Sequence, residues 1–106
     1  MVPEISPREL AEQLKSDMPP LLIDVREPSE YDYCRIEGAQ LRPMGGLMTW
    51  VNELDKEAAI VCQCHTGVRS LQVANYLQRL GFKKVFNLRG GIDAWSVQVD
   101  PNVPRY

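Results

Sequence analysis

The stretch Val61-Cys62-Gln63-Cys64-His65-Thr66-Gly67-Val68-Arg69-Ser70 concentrates the residue types that could do chemistry. An apolar run ends, a cysteine follows, and an arginine stands five residues further on, where a helical pattern begins. The amino end of a helix has unpaired N–H groups and a partial positive charge, both favourable to a thiolate or a bound anion. Arg69 adds a full cation with several donors. Gly67 lets the main chain curl so that successive amides face inward. Each of these lowers the proton affinity of a thiol, and the thiolate is the reactive species. Cys64 is therefore the expected nucleophile. His65, Thr66, Gly67, Val68, Arg69 and Ser70 form the expected anion-binding loop around it.

Other reactive side chains read differently. Cys62, in the middle of an apolar run, is expected to pack as a small hydrophobe. Cys34 lies among polar residues and is expected to be an exposed, oxidisable thiol. With three cysteines and one histidine in the whole chain, neither a disulfide scaffold nor a tetrahedral zinc site is expected. His65 need not act as a base, because an ionised thiolate attacks sulfur without one. Asp24, Arg26 and Glu30 are expected to support the site. Arg26 and Glu30 are four apart and could pair to brace a turn, while Asp24 closes a strand and hydrogen-bonds nearby amides. Trp50 and Trp95 read as packing residues.

The elements that must position this loop follow from pattern. Ser6-Pro7-Arg8-Glu9 has a cap, a proline at the first helical position and a glutamate that completes a capping box. Leu10, Ala11 and Leu14 continue as one apolar stripe. Leu21–Val25 and Ala58–Gln63 are short apolar runs of the kind buried in parallel sheets, and Lys84–Asn87 is a further strand. Gly38–Leu41 predicts a brief strand, and residues 28–35 a helical turn. An amphipathic stretch runs from about Leu47 to Leu54. Val68–Leu80 repeats at helical spacing and stops at Gly81. Gly90-Gly91 is a tight turn before a short helix with Ala94 and Trp95. Alternating strands and helices with short connections predict a three-layer α/β/α sandwich around a mainly parallel sheet. In such sheets, sites form beyond the carboxyl ends of strands, where Cys64 falls.

Composition narrows the class. The 106 residues are 44% hydrophobic and 25% charged, which suits one soluble domain and leaves no room for two. Residues 1–106 are thus expected to form a single domain, with a core at about 4–96 and a tail at 97–106. Twelve basic residues face 14 acidic ones, a net charge of −2, whereas a nucleic-acid binder needs a basic surplus. No apolar run approaches the ~20 residues of a membrane span, and the first residues lack a secretory signal pattern. The expected location is the cytoplasm.

Cys64-His65-Thr66-Gly67-Val68-Arg69-Ser70 resembles the C-x-x-G-x-R-S loop of rhodanese-type sulfurtransferases. Three further segments are similar to that family's signatures. Asp24-Val25-Arg26-Glu27-Pro28-Ser29-Glu30-Tyr31 resembles D-V-R-x-x-x-E-[YF], Arg35-Ile36-Glu37-Gly38-Ala39 resembles H-I-x-G-A, and Asn87-Leu88-Arg89-Gly90-Gly91-Ile92-Asp93-Ala94-Trp95 resembles the L-x-G-G-x-x-A-W ending. The resemblance implies a rhodanese-like fold with a five-stranded sheet in the order 3-2-4-5-1. It also implies a Cys64 persulfide that carries sulfur from a small donor, such as thiosulfate, to cyanide or a thiol. No metal or organic cofactor is implied, and a sulfur-carrier or desulfurase protein is a conceivable partner. Two positions depart from the pattern. His65 stands where thiosulfate-using members often have arginine, which weakens thiosulfate as the natural donor. Arg35 replaces a usual histidine.

The competing expectations are a sulfur relay, a noncatalytic module of the same fold, and a phosphatase or arsenate reductase. Retention of Cys64 and Arg69 argues against the module. Fold-related phosphatases place five residues between cysteine and arginine. This chain has four, His65 to Val68, a smaller ring better suited to a persulfide than to a tetrahedral phosphate.

Overall fold

The computed structural model describes all 106 residues. In chain order the elements are β1 (Glu4–Ile5), α1 (Pro7–Leu14), β2 (Leu21–Asp24), α2 (Pro28–Tyr33), β3 (Gln40–Leu41), α3 (Leu47–Trp50), β4 (Ala59–Gln63), α4 (Val68–Arg79), β5 (Lys84–Leu88) and α5 (Gly91–Gln98). Short 3-10 turns at Met44–Gly46 and Val51–Glu53 flank α3, so the amphipathic stretch is three short turns rather than one helix. The five strands form one parallel sheet in the order β1-β5-β4-β2-β3. Read from the other edge, this is 3-2-4-5-1.

β4 shows why the central strands read as continuous apolar runs. Successive side chains alternate between two buried faces. Ile60 and Cys62 join Ile23, Val25, Val85, Trp50 of α3 and Val73, Ala74 and Leu77 of α4. Val61 points the other way, into a second cluster with Leu22, Leu88, Leu10 of α1 and Ile92 and Trp95 of α5. The sheet therefore lies between two apolar layers, each roofed by helices. Both tryptophans are buried in these layers.

Local signals explain the element boundaries nearest the site. The capping box forms: Ser6 Oγ accepts from the Glu9 amide at 3.1 Å, and Glu9 Oε1 accepts from the Ser6 amide at 2.9 Å. β1, only two residues long, carries no periodicity of its own, yet it pairs with β5 at Glu4↔Asn87 and Ile5↔Leu88. Both edge strands, β1 and β3, are two residues long. Residues 97–106 do not trail away. α5 continues to Gln98, Val103 is buried, and its carbonyl accepts from Ser96 Oγ at 2.6 Å.

Candidate active site

β4 is flanked by β5 and β2 and ends at Gln63, so Cys64 emerges between the carboxyl ends of three adjacent strands. Gly67 then takes φ +107°, a left-handed conformation that side chains other than glycine rarely adopt, and α4 begins at Val68. This reversal turns donors onto the cysteine. Cys64 Sγ accepts from the Gly67 amide at 3.1 Å and the Ser70 amide at 3.4 Å, and it lies 3.3 Å from Ser70 Oγ. The residue is 1% exposed. Its sulfur is thus recessed, with main-chain hydrogens aimed at it, an arrangement that stabilises negative charge.

The rest of the loop is held from behind by α5. The Cys64 carbonyl accepts from the Ile92 amide at 2.9 Å and the His65 carbonyl from the Asp93 amide at 3.1 Å. Those amides are orphan donors at a helix start, so the loop caps α5 while α5 orients the loop. Gly91 makes this approach possible. A Cβ there would fall 2.5 Å from the Cys64 carbonyl oxygen and 2.4 Å from that of His65.

Ion pairs wall the loop. Arg69 meets Glu30 with two parallel bonds of 2.8 and 2.9 Å. The hydrogen bond from Arg69 carries the Glu30 carboxyl from its ordinary value near 4.5 down to about 2, against the opposing effect of burial and with help from Tyr106. Arg26 and Asp24 form a second pair at 2.7 Å, wholly buried. The remaining guanidinium donors go to the Cys34 carbonyl at 2.6 Å and the Tyr106 hydroxyl at 3.0 Å.

These contacts correct the expectation for Arg26. Its partner is Asp24 rather than the Glu30 carboxylate, to which it makes no side-chain bond; only the Glu30 carbonyl lies near, at 3.4 Å. Arg26 precedes α2 instead of lying within it. A bend just past β2, in which the Asp24 carboxylate accepts from the Arg26 amide two residues on, turns Arg26 back onto Asp24, and the four-residue spacing to Glu30 never becomes helical. Asp24 does accept from one amide, that of Arg26, at 3.1 Å. Cys34 is also corrected: it is buried, 7% exposed, beneath the Arg26 guanidinium. Cys62 is a core residue, and burial, reinforced by the adjacent Cys64, pushes its thiol up from the ordinary range. Arg35 stays exposed, with its guanidinium 4.7 Å from the centre of the Tyr31 ring.

The structure brings Cys64, Gly67 and Ser70 into direct contact and sets Arg69 and Glu30 beside them. Thr66 and Val68 are exposed at the rim. His65 lies flat against Tyr106. Two neighbours escape a reading of the sequence. Asn87, on β5, accepts from Ser70 Oγ at 2.6 Å and donates to the Gly67 carbonyl at 3.2 Å. Tyr106 reaches the loop from the far end of the chain. Asn87 opens the Asn87–Trp95 segment, but no role was expected of it. No group of three or more His, Cys, Asp or Glu is placed to share a metal ion.

A recessed cysteine that accepts from two amides, on a loop between a parallel strand and a helix, places the chain in the class of α/β proteins built around such a cysteine loop. Within that class the chain belongs to the rhodanese-like domain family, whose model matches residues 6–98, and so to a family of sulfurtransferases. It is 38% identical over 96 residues to a sulfurtransferase of Allochromatium vinosum, covering 91% of this chain and 90% of that protein. It is 44% identical over 89 residues to a chloroplastic rhodanese-like/PpiC domain-containing protein of Arabidopsis thaliana; this match covers 80% of the chain but only 30% of that longer protein. The crystal structure of a rhodanese-like domain protein from Staphylococcus aureus superposes with a TM-score of 0.85 at 30% identity, covering 99% of each chain.

Proposed function

We propose that this protein moves sulfane sulfur from a small donor to a thiophilic acceptor through a persulfide on Cys64. The observation that carries the reading is the convergence of the Gly67 and Ser70 amides and the Ser70 hydroxyl on one recessed sulfur. In the first step the Cys64 thiolate attacks the outer sulfur of thiosulfate. The new S–S bond forms as the old one breaks, and sulfite leaves with the electron pair. A low-molecular-weight persulfide can serve in the same way, releasing its thiolate. In the second step cyanide or a thiolate attacks the outer sulfur of Cys64–S–S⁻ and departs as thiocyanate or a new persulfide, returning the Cys64 thiolate. The amides hold the charge on sulfur in both states, and the Glu30–Arg69 pair keeps the rim of the loop fixed. A relay that hands the sulfur to a carrier protein, or receives it from a desulfurase, would share the first step and differ only in its partner. A cytoplasmic location agrees with a nucleophile that works as a free thiol.

Intact mass spectrometry tests the reading. After exposure to thiosulfate or glutathione persulfide, the mass should rise by one sulfur, about 32 Da, and fall back with cyanide or dithiothreitol. Cys64→Ser should gain nothing. Equal modification of that variant would reject Cys64 as the carrier.

A further inference from the structure

Residues 99–106 fold back after α5 and finish against the loop. The Tyr106 ring lies on the His65 ring, with centroids 3.9 Å apart and planes 9° from parallel. Its hydroxyl donates to Glu30 Oε2 at 2.6 Å and accepts from Arg26 Nη1 at 3.0 Å. Because Glu30 grips Arg69 with both oxygens, one tyrosine touches His65 directly and Arg69 through a single intermediary. These are the two largest polar side chains of the loop.

The segment that delivers the ring is anchored. Val103 is buried and bonded to Ser96. Arg105 pairs with Asp93 at 2.8 Å, the same residue whose amide holds the His65 carbonyl. Tyr33 meets Tyr106 edge-on at 5.9 Å, and the two rings, with Ser29 and Glu30, line an open hollow of about 320 Å³ next to the loop. Cys64, at 1% exposure, leaves an incoming nucleophile little freedom of approach. The neighbouring His65 ring is held in one orientation by its stacking on Tyr106.

We propose that Tyr106 is a specificity-determining positioning residue, whose ring seats His65 and so favours compact sulfur acceptors over bulky thiols, while its hydroxyl braces the Glu30–Arg69 pair. The inference rests on the Cys64 persulfide reading. The ring and the hydroxyl have separable parts in it: the ring limits the size of the opening by pinning His65, and the hydroxyl steadies Arg69 through Glu30. Cyanide must bring one small atom to the outer sulfur. A glutathione thiolate makes the same attack and leaves as glutathione persulfide, but it must bring a tripeptide past the His65–Tyr106 stack.

The wild-type chain, Tyr106→Phe and Tyr106→Ala are loaded with thiosulfate, and loading is read by intact mass. Discharge rates are then followed against the concentration of cyanide and of glutathione, with thermal melts as the check on folding. All three should load. Tyr106→Phe, which keeps the ring, should retain the wild-type ratio of glutathione to cyanide kcat/KM. Tyr106→Ala should raise that ratio roughly tenfold, chiefly through a lower KM for glutathione. His65→Ala, which removes the seated ring and leaves Tyr106 in place, should shift the ratio in the same direction even if Tyr106→Ala melts early. An unchanged ratio in folded, normally loaded Tyr106→Ala would overturn the proposal, as would a shift in Tyr106→Phe as large as that in Tyr106→Ala. A wild-type chain that takes up no sulfur at Cys64 would instead bring down the persulfide reading itself.

Discussion

Ser70 has one hydroxyl proton and two groups within its reach. Asn87 Oδ1 is 2.6 Å away and Cys64 Sγ 3.3 Å. The shorter of the two contacts is the donation to Asn87. In the proposed persulfide cycle the Ser70 hydroxyl serves as a third donor to the sulfur, beside the two amides. Ser70→Ala removes that third donor and leaves the Asn87 carbonyl oxygen without its partner. The expected result is a fall in kcat/KM for thiosulfate and cyanide of roughly tenfold or more, with a melting temperature lowered by the unpaired buried acceptor. Steady-state kinetics and a thermal melt on the same preparation check both. The gathering of the 64–70 loop around Cys64 was legible beforehand, because the Cys64–Ser70 spacing is local and a helix start orients amides in a known way, whereas the Asn87 contact was not. The partner of Arg26 was not, since the helical spacing to Glu30 applies only if α2 begins before Arg26, and it begins at Pro28, after a bend. Cys34 misled for a similar reason: polar neighbours in sequence do not reveal that a buried guanidinium lies above it.

At the scale of elements, the site depends on the amino end of α5 as much as on α4. The Ile92 and Asp93 amides hold two loop carbonyls, and Gly91, at φ +61°, sits against both oxygens. Gly91→Ala forces a Cβ into those carbonyls and also strains the main chain. A loss of about 3 kcal/mol or more is expected, measured by denaturant unfolding, and sulfur uptake at Cys64 should fall with it. The Gly90-Gly91 pair announced a turn in the sequence but not this contact, which joins segments more than twenty-five residues apart. The long apolar runs and α4 were legible because periodicity accumulates over their length. β1 was not, since two residues cannot show a period, and only its pairing with β5 makes it a strand.

For the molecule as a whole, Glu30 ties α2 to α4 and to the returning end of the chain through Arg69 and Tyr106. Its carboxyl sits near 2 in the folded protein, below its ordinary value near 4.5. The unfolded chain therefore binds a proton more readily than the folded one. The stability from this network should be fully present above about pH 4.5 and be lost as pH falls toward 2. Melting temperatures recorded across that window should drop more steeply for the wild type than for Glu30→Gln. Parallel slopes would show that the network carries no such linkage. The part played by Tyr106 had no local signature, because its partners lie 41 to 80 positions away.

The brevity of the two outermost strands has a consequence for how copies of this chain meet. A sheet grows into a neighbour when a long row of free amides and carbonyls offers a template. Here β1 and β3 supply only two residues each, so strand-to-strand docking between molecules could win no more than a couple of bonds. Crowding at high concentration should therefore bring these molecules together through side chains, leaving the sulfur-bearing end of the sheet unobstructed by fibrillar stacking.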